Sequence, residues 1–91
     1  PGEILKTEFI DQMGLNEGEL AQALHIPKGK IHAVISGDHP VSAAMALRLS
    51  RYFRTTPQFW LGLQMDYDLD IAEDQLEDQI QKEVLPMSAA G

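Results

Sequence analysis

Between Glu19 and Gly37 the chain reads ELAQALHIPKGKIHAVISG, and no other stretch restricts its fold so tightly. Asn16 can cap a first helix, with Glu19 three residues later placed to return a bond to the cap's own backbone. Leu20, Ala21 and Leu24 then recur on one helical face, and the helix ends at His25. Pro27 has no N–H and a preset φ, so it suits the first turn of a second helix, which runs to Ser36 and stops at Gly37, a residue that tolerates the left-handed conformation. The connection is too short for anything but a crossed pair, and Ala21 is small where the two helices would cross. Ile31, Val34 and Ile35 turn inward. Lys28, Lys30, His32, Ala33 and Ser36 turn to solvent. This is the spacing of a helix-turn-helix, whose second helix enters the major groove of DNA.

The overall charge argues against that assignment, because neutralising phosphates needs surplus Lys and Arg and the chain carries a net −7. The distribution answers the objection. Residues 1–65 hold six acids and six bases, whereas residues 66–91 hold eight acids against Lys82 alone. From His25 to Pro57 there are five bases, one acid and three histidines, so a positive zone persists around the second helix.

The 91 residues make one domain, a size at which only about two-thirds of the unfolded surface is buried, so modest stability is expected unless a partner subunit adds core. There is no cysteine, which removes disulfides, thiolate zinc sites and cysteine nucleophiles together. No apolar stretch approaches the roughly 20 residues that span a bilayer, and no signal-peptide pattern is visible. A cytoplasmic protein without membrane contact is the expectation. The chain opens on Pro1, so a short amino-terminal piece is expected to precede it in the natural protein.

Every remaining segment also reads as helix. Glu3 to Met13 carries an apolar stripe of Ile4, Leu5, Phe9, Ile10 and Met13, closed by Gly14. After the Gly37–Pro40 loop, Met45, Ala46, Leu49 and Phe53 recur at helical intervals within Ser42 to Arg54. Arg48, Arg51 and Arg54 fall on the other faces, and ion pairs with acids are expected of them. Thr56 caps a further helix with Pro57 at its first position. Along it Trp60, Leu63, Tyr67 and Ile71 form one stripe, and Leu69, Ala72, Leu76 and Ile80 form a shifted one, over one long helix or two in series. No segment alternates with period two, and MSAAG reads as a frayed tail. The pattern predicts an all-α fold of five helices: a DNA-binding part over 1–65 with the helix-turn-helix at about 16–37, and an acidic helical extension over 66–91 within the same domain.

Other chemistry finds little support. Asp66, Asp68, Asp70 and Glu77 occupy positions 1, 3, 5 and 12 of a calcium-loop pattern, but position 6 is Ile71, where the sharp turn needs glycine, and the helical period continues straight through. His25, His32 and His39 are seven apart with no convergent geometry implied, so no metal site is expected. No nucleophile–histidine–acid order and no phosphate loop stands out, and neither catalysis nor a cofactor is expected. Trp60 shares a stripe with Leu63 and Tyr67, which fits a core or interface anchor better than a ligand stacker.

With TPQFWLGLQMDYDL from Thr56 to Leu69 in place, the chain resembles the HigA/VapI type of antidote protein, a branch of the lambda-repressor-like helix-turn-helix class. The resemblance covers nearly the whole chain. It rests also on PGEIL at Pro1 to Leu5, on Leu20-Ala21 and Gly37, and on Ala46 with Arg48-Leu49. It implies an antitoxin that neutralises a co-encoded, basic, ribosome-dependent mRNA endonuclease of the HigB type and represses its own promoter as a homodimer. The alternative is a repressor-like fold used as a protein-interaction module or general regulator without a toxin. Similar proteins often carry a base after Gly37, where this chain has Asp38-His39, and an acid there is unfavourable beside phosphate. On double-stranded operator DNA the expected contacts are Lys28, Lys30, His32, Ala33, Ser36 and His39. The expected dimer interface is Trp60, Leu63, Tyr67, Leu69, Leu76 and Ile80, because one helix cannot bury two stripes against so small a domain. Two reading helices related by a two-fold axis would then lie about 34–36 Å apart, or a near multiple.

Overall fold

The computed structural model describes residues 1–88, among which every regular element is helical. Helix α1 (Gly2–Ile4) passes directly into a π-helical stretch, Leu5–Ile10, and is followed by α2 (Glu17–Leu24), α3 (Lys28–Ser36), α4 (Ala43–Phe53) and α5 (Pro57–Glu83). Of the MSAAG tail, only Met87 and Ser88 lie among the described residues.

The first helix departs from the expected uniform α-helix ending at Met13. Its bond from Asp11 N–H to the Lys6 carbonyl spans five residues at 2.9 Å, whereas the Leu15 N–H to Ile10 carbonyl bond at 3.0 Å closes the helix end over Gly14. An i→i+5 ladder brings residues five apart nearly above one another, so Leu5 and Ile10 are both buried. Met13, which a 3.6 period would turn inward, is instead exposed. Gly14 ends the segment at φ +68°.

The two helix ends in the middle form as their sequences dictate. The Asn16 side chain accepts from Glu19 N–H at 2.8 Å, and the Glu19 carboxylate accepts from Asn16 N–H at 3.2 Å, which completes the capping box. His25, at φ 56°, and Gly37, at φ 85°, close α2 and α3 in the left-handed conformation. Ser42 and Thr56 cap α4 and α5 through their hydroxyls.

The core gathers one face of each helix: Leu5 and Ile10, Leu20 and Leu24, Ile31 and Val34, Met45 and Leu49, all closed by Trp60. Trp60 has no exposed surface; its ring lies against Phe9 and Phe59 at centroid distances of 4.9 and 5.1 Å, and its indole N–H donates to Thr55 Oγ1 at 2.7 Å. Here the structure corrects the sequence expectation. Trp60 belongs to the core of a single chain, and a partner subunit finds no surface of it to cover. Leu63, half-buried, packs against the same core, and Tyr67 turns to the same side of α5, beside Gly37 at the end of α3. Gln64 is buried too; its Oε1 accepts from Val41 N–H at 2.8 Å and its Nε2 donates to Asp68 at 2.9 Å, tying α5 to the loop that follows α3.

Beyond Asp68 the helix leaves the domain. The radius of gyration is 17.2 Å, against about 12 Å expected for a compact domain of this length. The longest dimension is 55 Å, and the cause is the carboxy-terminal half of α5.

Candidate nucleic-acid interface

Ile31 and Val34 fasten α3 to the core, and Ile35 is half-buried beside them. Successive residues turn by about 100°, which arranges the remainder. Gly29, Ala33 and Ser36 form the outward crest, Lys28 and His32 the edge toward α2, and Lys30 the opposite edge toward α4. The surroundings agree with that division. Lys28, Gly29 and His32 line a groove with Asn16, Glu17 and Gly18 at the start of α2, whereas Lys30 lines another with His25, Ser42, Ala44 and Arg48. The two lysines therefore flank the helix and do not act as one point of charge.

The expected contact residues are exposed apart from Ala33, which is half-buried on the crest. Several already have partners. His32 Nδ1 lies 2.9 Å from Glu17 Oε1, and Ser36 Oγ donates within reach of the Ala33 carbonyl and of Asp38 Oδ2, each at 3.1 Å. His39, in the following loop, bonds the Pro40 carbonyl through Nδ1 at 3.0 Å. Asp38 is thus in part occupied by Ser36. Two residues of this face were not singled out from the sequence. Gly29 has open space where a side chain would stand, which lets a large partner approach the backbone. Glu17 is brought to the face only by the crossing of α2 and α3, and no local pattern announces it.

Among the described residues, Arg48, Arg51 and Arg54 form none of the expected ion pairs. The salt bridges among the described residues are Lys6–Asp11 and His32–Glu17. Arg48 instead donates to the Leu24 carbonyl at 2.9 Å, satisfying one of the carbonyls left open at the end of α2, and Arg51 sits in the last turn of α4. Cations at helix ends complement the negative end of the dipole, which is why arginines collect where α2 and α4 both stop.

His25, His32 and His39 lie at a helix end, on a helix and in a loop, and no group of three potential ligands that could hold a metal occurs among the described residues. The calcium pattern from Asp66 to Glu77 lies wholly inside α5 and has no loop to wrap an ion. No helix of the described residues is long and apolar enough to cross a membrane.

On α5 the two apolar stripes point in opposite directions. The Trp60/Leu63/Tyr67 side faces the chain's own domain. Met65, Leu69, Leu76 and Ile80, with half-buried Ala72 among them, form a strip on the other side whose large side chains are 44–57% exposed. Alongside the strip, Asp66, Asp70, Glu73, Asp74 and Glu77 make a solvated acidic flank.

No family model matches the chain, but individual proteins do. Virulence-associated protein I of Dichelobacter nodosus is 44% identical over 73 residues, which are 80% of this chain and 68% of that protein. Antitoxin HigA of Pseudomonas aeruginosa, solved with the higBA promoter, superimposes with a TM-score of 0.93 at 38% identity, over 97% of this chain and 96% of that one. An addiction module antidote protein of the HigA family from Coxiella burnetii gives a TM-score of 0.91 at 40% identity, over 96% and 95%. With the helix-turn-helix, the core tryptophan and the projecting acidic helix all present, the chain belongs to the HigA family of antitoxins.

Proposed function

We propose that this chain is an operator-binding antitoxin that acts as a homodimer, represses its own operon from the cytoplasm and neutralises a basic ribonuclease of the HigB type. The observation that carries DNA binding is the exposed face of α3, with open Gly29 on its crest and Lys28 and Lys30 at its two edges, on a fold that superimposes on a HigA solved with its promoter. Flanking lysines suit phosphates on either side of a groove, while Ala33 on the crest suits a thymine methyl. In a gel shift on the DNA upstream of its own gene, the wild-type chain binds in the nanomolar range typical of specific complexes. Lys28→Ala with Lys30→Ala then weakens binding and flattens its salt dependence by about two units if both touch phosphate. Unchanged binding by that double variant removes α3 from the interface.

The homodimer reading rests on the Leu69/Ala72/Leu76/Ile80 strip, which the single chain leaves uncovered. Toxin binding rests on the family and on charge. An endonuclease that acts on mRNA must offer positive surface to RNA, and an arm with eight acids against one lysine attracts it over long range. Replacing Asp70, Glu73, Asp74 and Glu77 by Asn or Gln slows association with a toxin encoded beside the gene at low salt and leaves the dimer intact. An equal rate at low salt excludes steering by this arm. A second reading, a protein-interaction module with weak DNA binding, draws on the same acidic flank; tight binding to the upstream DNA counts against it.

A further inference from the structure

The contact between His32 and Glu17 joins the reading helix to the helix behind it, and it constrains which proton the imidazole carries. A carboxylate only accepts, so the 2.9 Å approach to Glu17 Oε1 requires the hydrogen on His32 Nδ1. In the neutral ring the other nitrogen, Nε2, is then an acceptor, and it stands on the far side of the ring from Glu17. The groups around this groove are few. From α2 come Asn16, Glu17 and Gly18, and from α3 come Lys28, Gly29 and His32 itself. Glu19, the next acid of α2, is turned back onto its own cap, and Asp38 beyond the end of α3 is bonded to Ser36. The His32 side chain is 67% exposed and that of Glu17 is 26% exposed, so the carboxylate backs the ring and leaves its outer edge open.

Resting on the operator-binding reading above, we propose that Glu17 is a specificity-determining residue that makes neutral His32 a reader of base amino groups. An acceptor at Nε2 matches the amino groups of adenine N6 and cytosine N4 in the major groove, and it meets lone pairs at guanine O6 and N7, at thymine O4 and at phosphate oxygen. The opposite tautomer would donate to all of those. Glu17 thereby withdraws His32 from general phosphate contact and gives it a base preference, although Glu17 itself need touch no base. Its negative charge also lowers affinity for every sequence alike. The two effects are separable, because loss of the charge raises affinity for every sequence alike, whereas loss of the accept-only partner changes preference at a single position.

The test has two arms, both in the same mildly alkaline buffer. Nitrogen-15 correlation spectra of the free protein report the His32 tautomer directly: the hydrogen is expected on Nδ1 in the wild type, with a shift toward Nε2 in Glu17→Ala and a mixture in Glu17→Gln, whose amide both donates and accepts. Selection from a library of randomised half-sites reports the preference. The wild type is expected to favour adenine or cytosine by about fivefold at one position of each half-site. Glu17→Ala loses that preference, and Glu17→Ala changes no preference once His32→Ala is present. Hydrogen on Nε2 in the free wild type overturns the inference, as does a preference that survives Glu17→Ala while affinity rises evenly for all sequences. A chain that selects no DNA at all overturns the operator reading instead, and the spectra still decide the tautomer.

Discussion

Gly2 is buried where the first turn of α1 meets the end of α3, and a methyl there would run into the Val34 and Ile35 carbonyl oxygens. Backbone cannot withdraw as a flexible side chain can, so Gly2→Ala is expected to lower stability by about 1–3 kcal/mol, measured as a reduced denaturation midpoint. Trp60 tests the core in the same way. Trp60→Ala is expected to cost about 3–5 kcal/mol, through the emptied site and the lost bond to Thr55. That loss should appear equally at all protein concentrations, because the indole is buried within one chain. At this scale the sequence was most legible where the chemistry is local. Asn16 with Glu19, and Gly37, each act within four residues and do what their types predict, whereas Pro27, expected in the first turn of α3, stands one residue before it as the N-cap. Arg48 was not legible, because its partner is a carbonyl 24 residues away that only the packing of α2 on α4 presents.

Among the elements, α5 carries an unusual internal cost. Asp66, Asp70, Asp74 and Asp78 follow one another at four-residue intervals, one like charge above the next, within a helix that runs unbroken to Glu83. Each such pair destabilises an isolated helix by about 0.2–0.5 kcal/mol. Asp74→Lys turns two repulsions into attractions, so it is expected to add about 1 kcal/mol to the helix, read by circular dichroism at low salt, and to slow toxin association at the same time. If the substitution stabilises the helix without affecting the toxin, the row serves solubility alone. The period of α5 was legible and its division of labour was not. Both stripes are plain in the sequence, but which of them the domain consumes depends on how α4 and α5 meet, and Trp60 therefore went to the core and not to the partner. The first helix shows the reverse limit: a 3.6 period assigns Met13 to the core, and the wider π turn exposes it.

For the molecule as a whole, the strip of Leu69, Ala72, Leu76 and Ile80 lies on the outer part of α5, where its large side chains stay half-exposed. Charging it by Leu76→Asp with Ile80→Asp should leave the fold of the domain intact and convert a dimer to a monomer in sedimentation at tens of micromolar. Wild-type protein that sediments as monomer throughout would exclude dimerisation through this arm. One further consequence follows from the anchoring of α5 at its near end, where Trp60 and Gln64 lock it to the core and to the loop after α3. A rigid rod held this way is a phase-keeping shaft. Each residue added between Asp70 and Glu73 advances the outer end by about 1.5 Å and rotates it by about 100°. One inserted alanine should therefore swing the two reading heads out of step on the operator with both still folded. Seven should bring each head back to nearly its original angle, displaced along its own helix by about one base-pair step for every two residues.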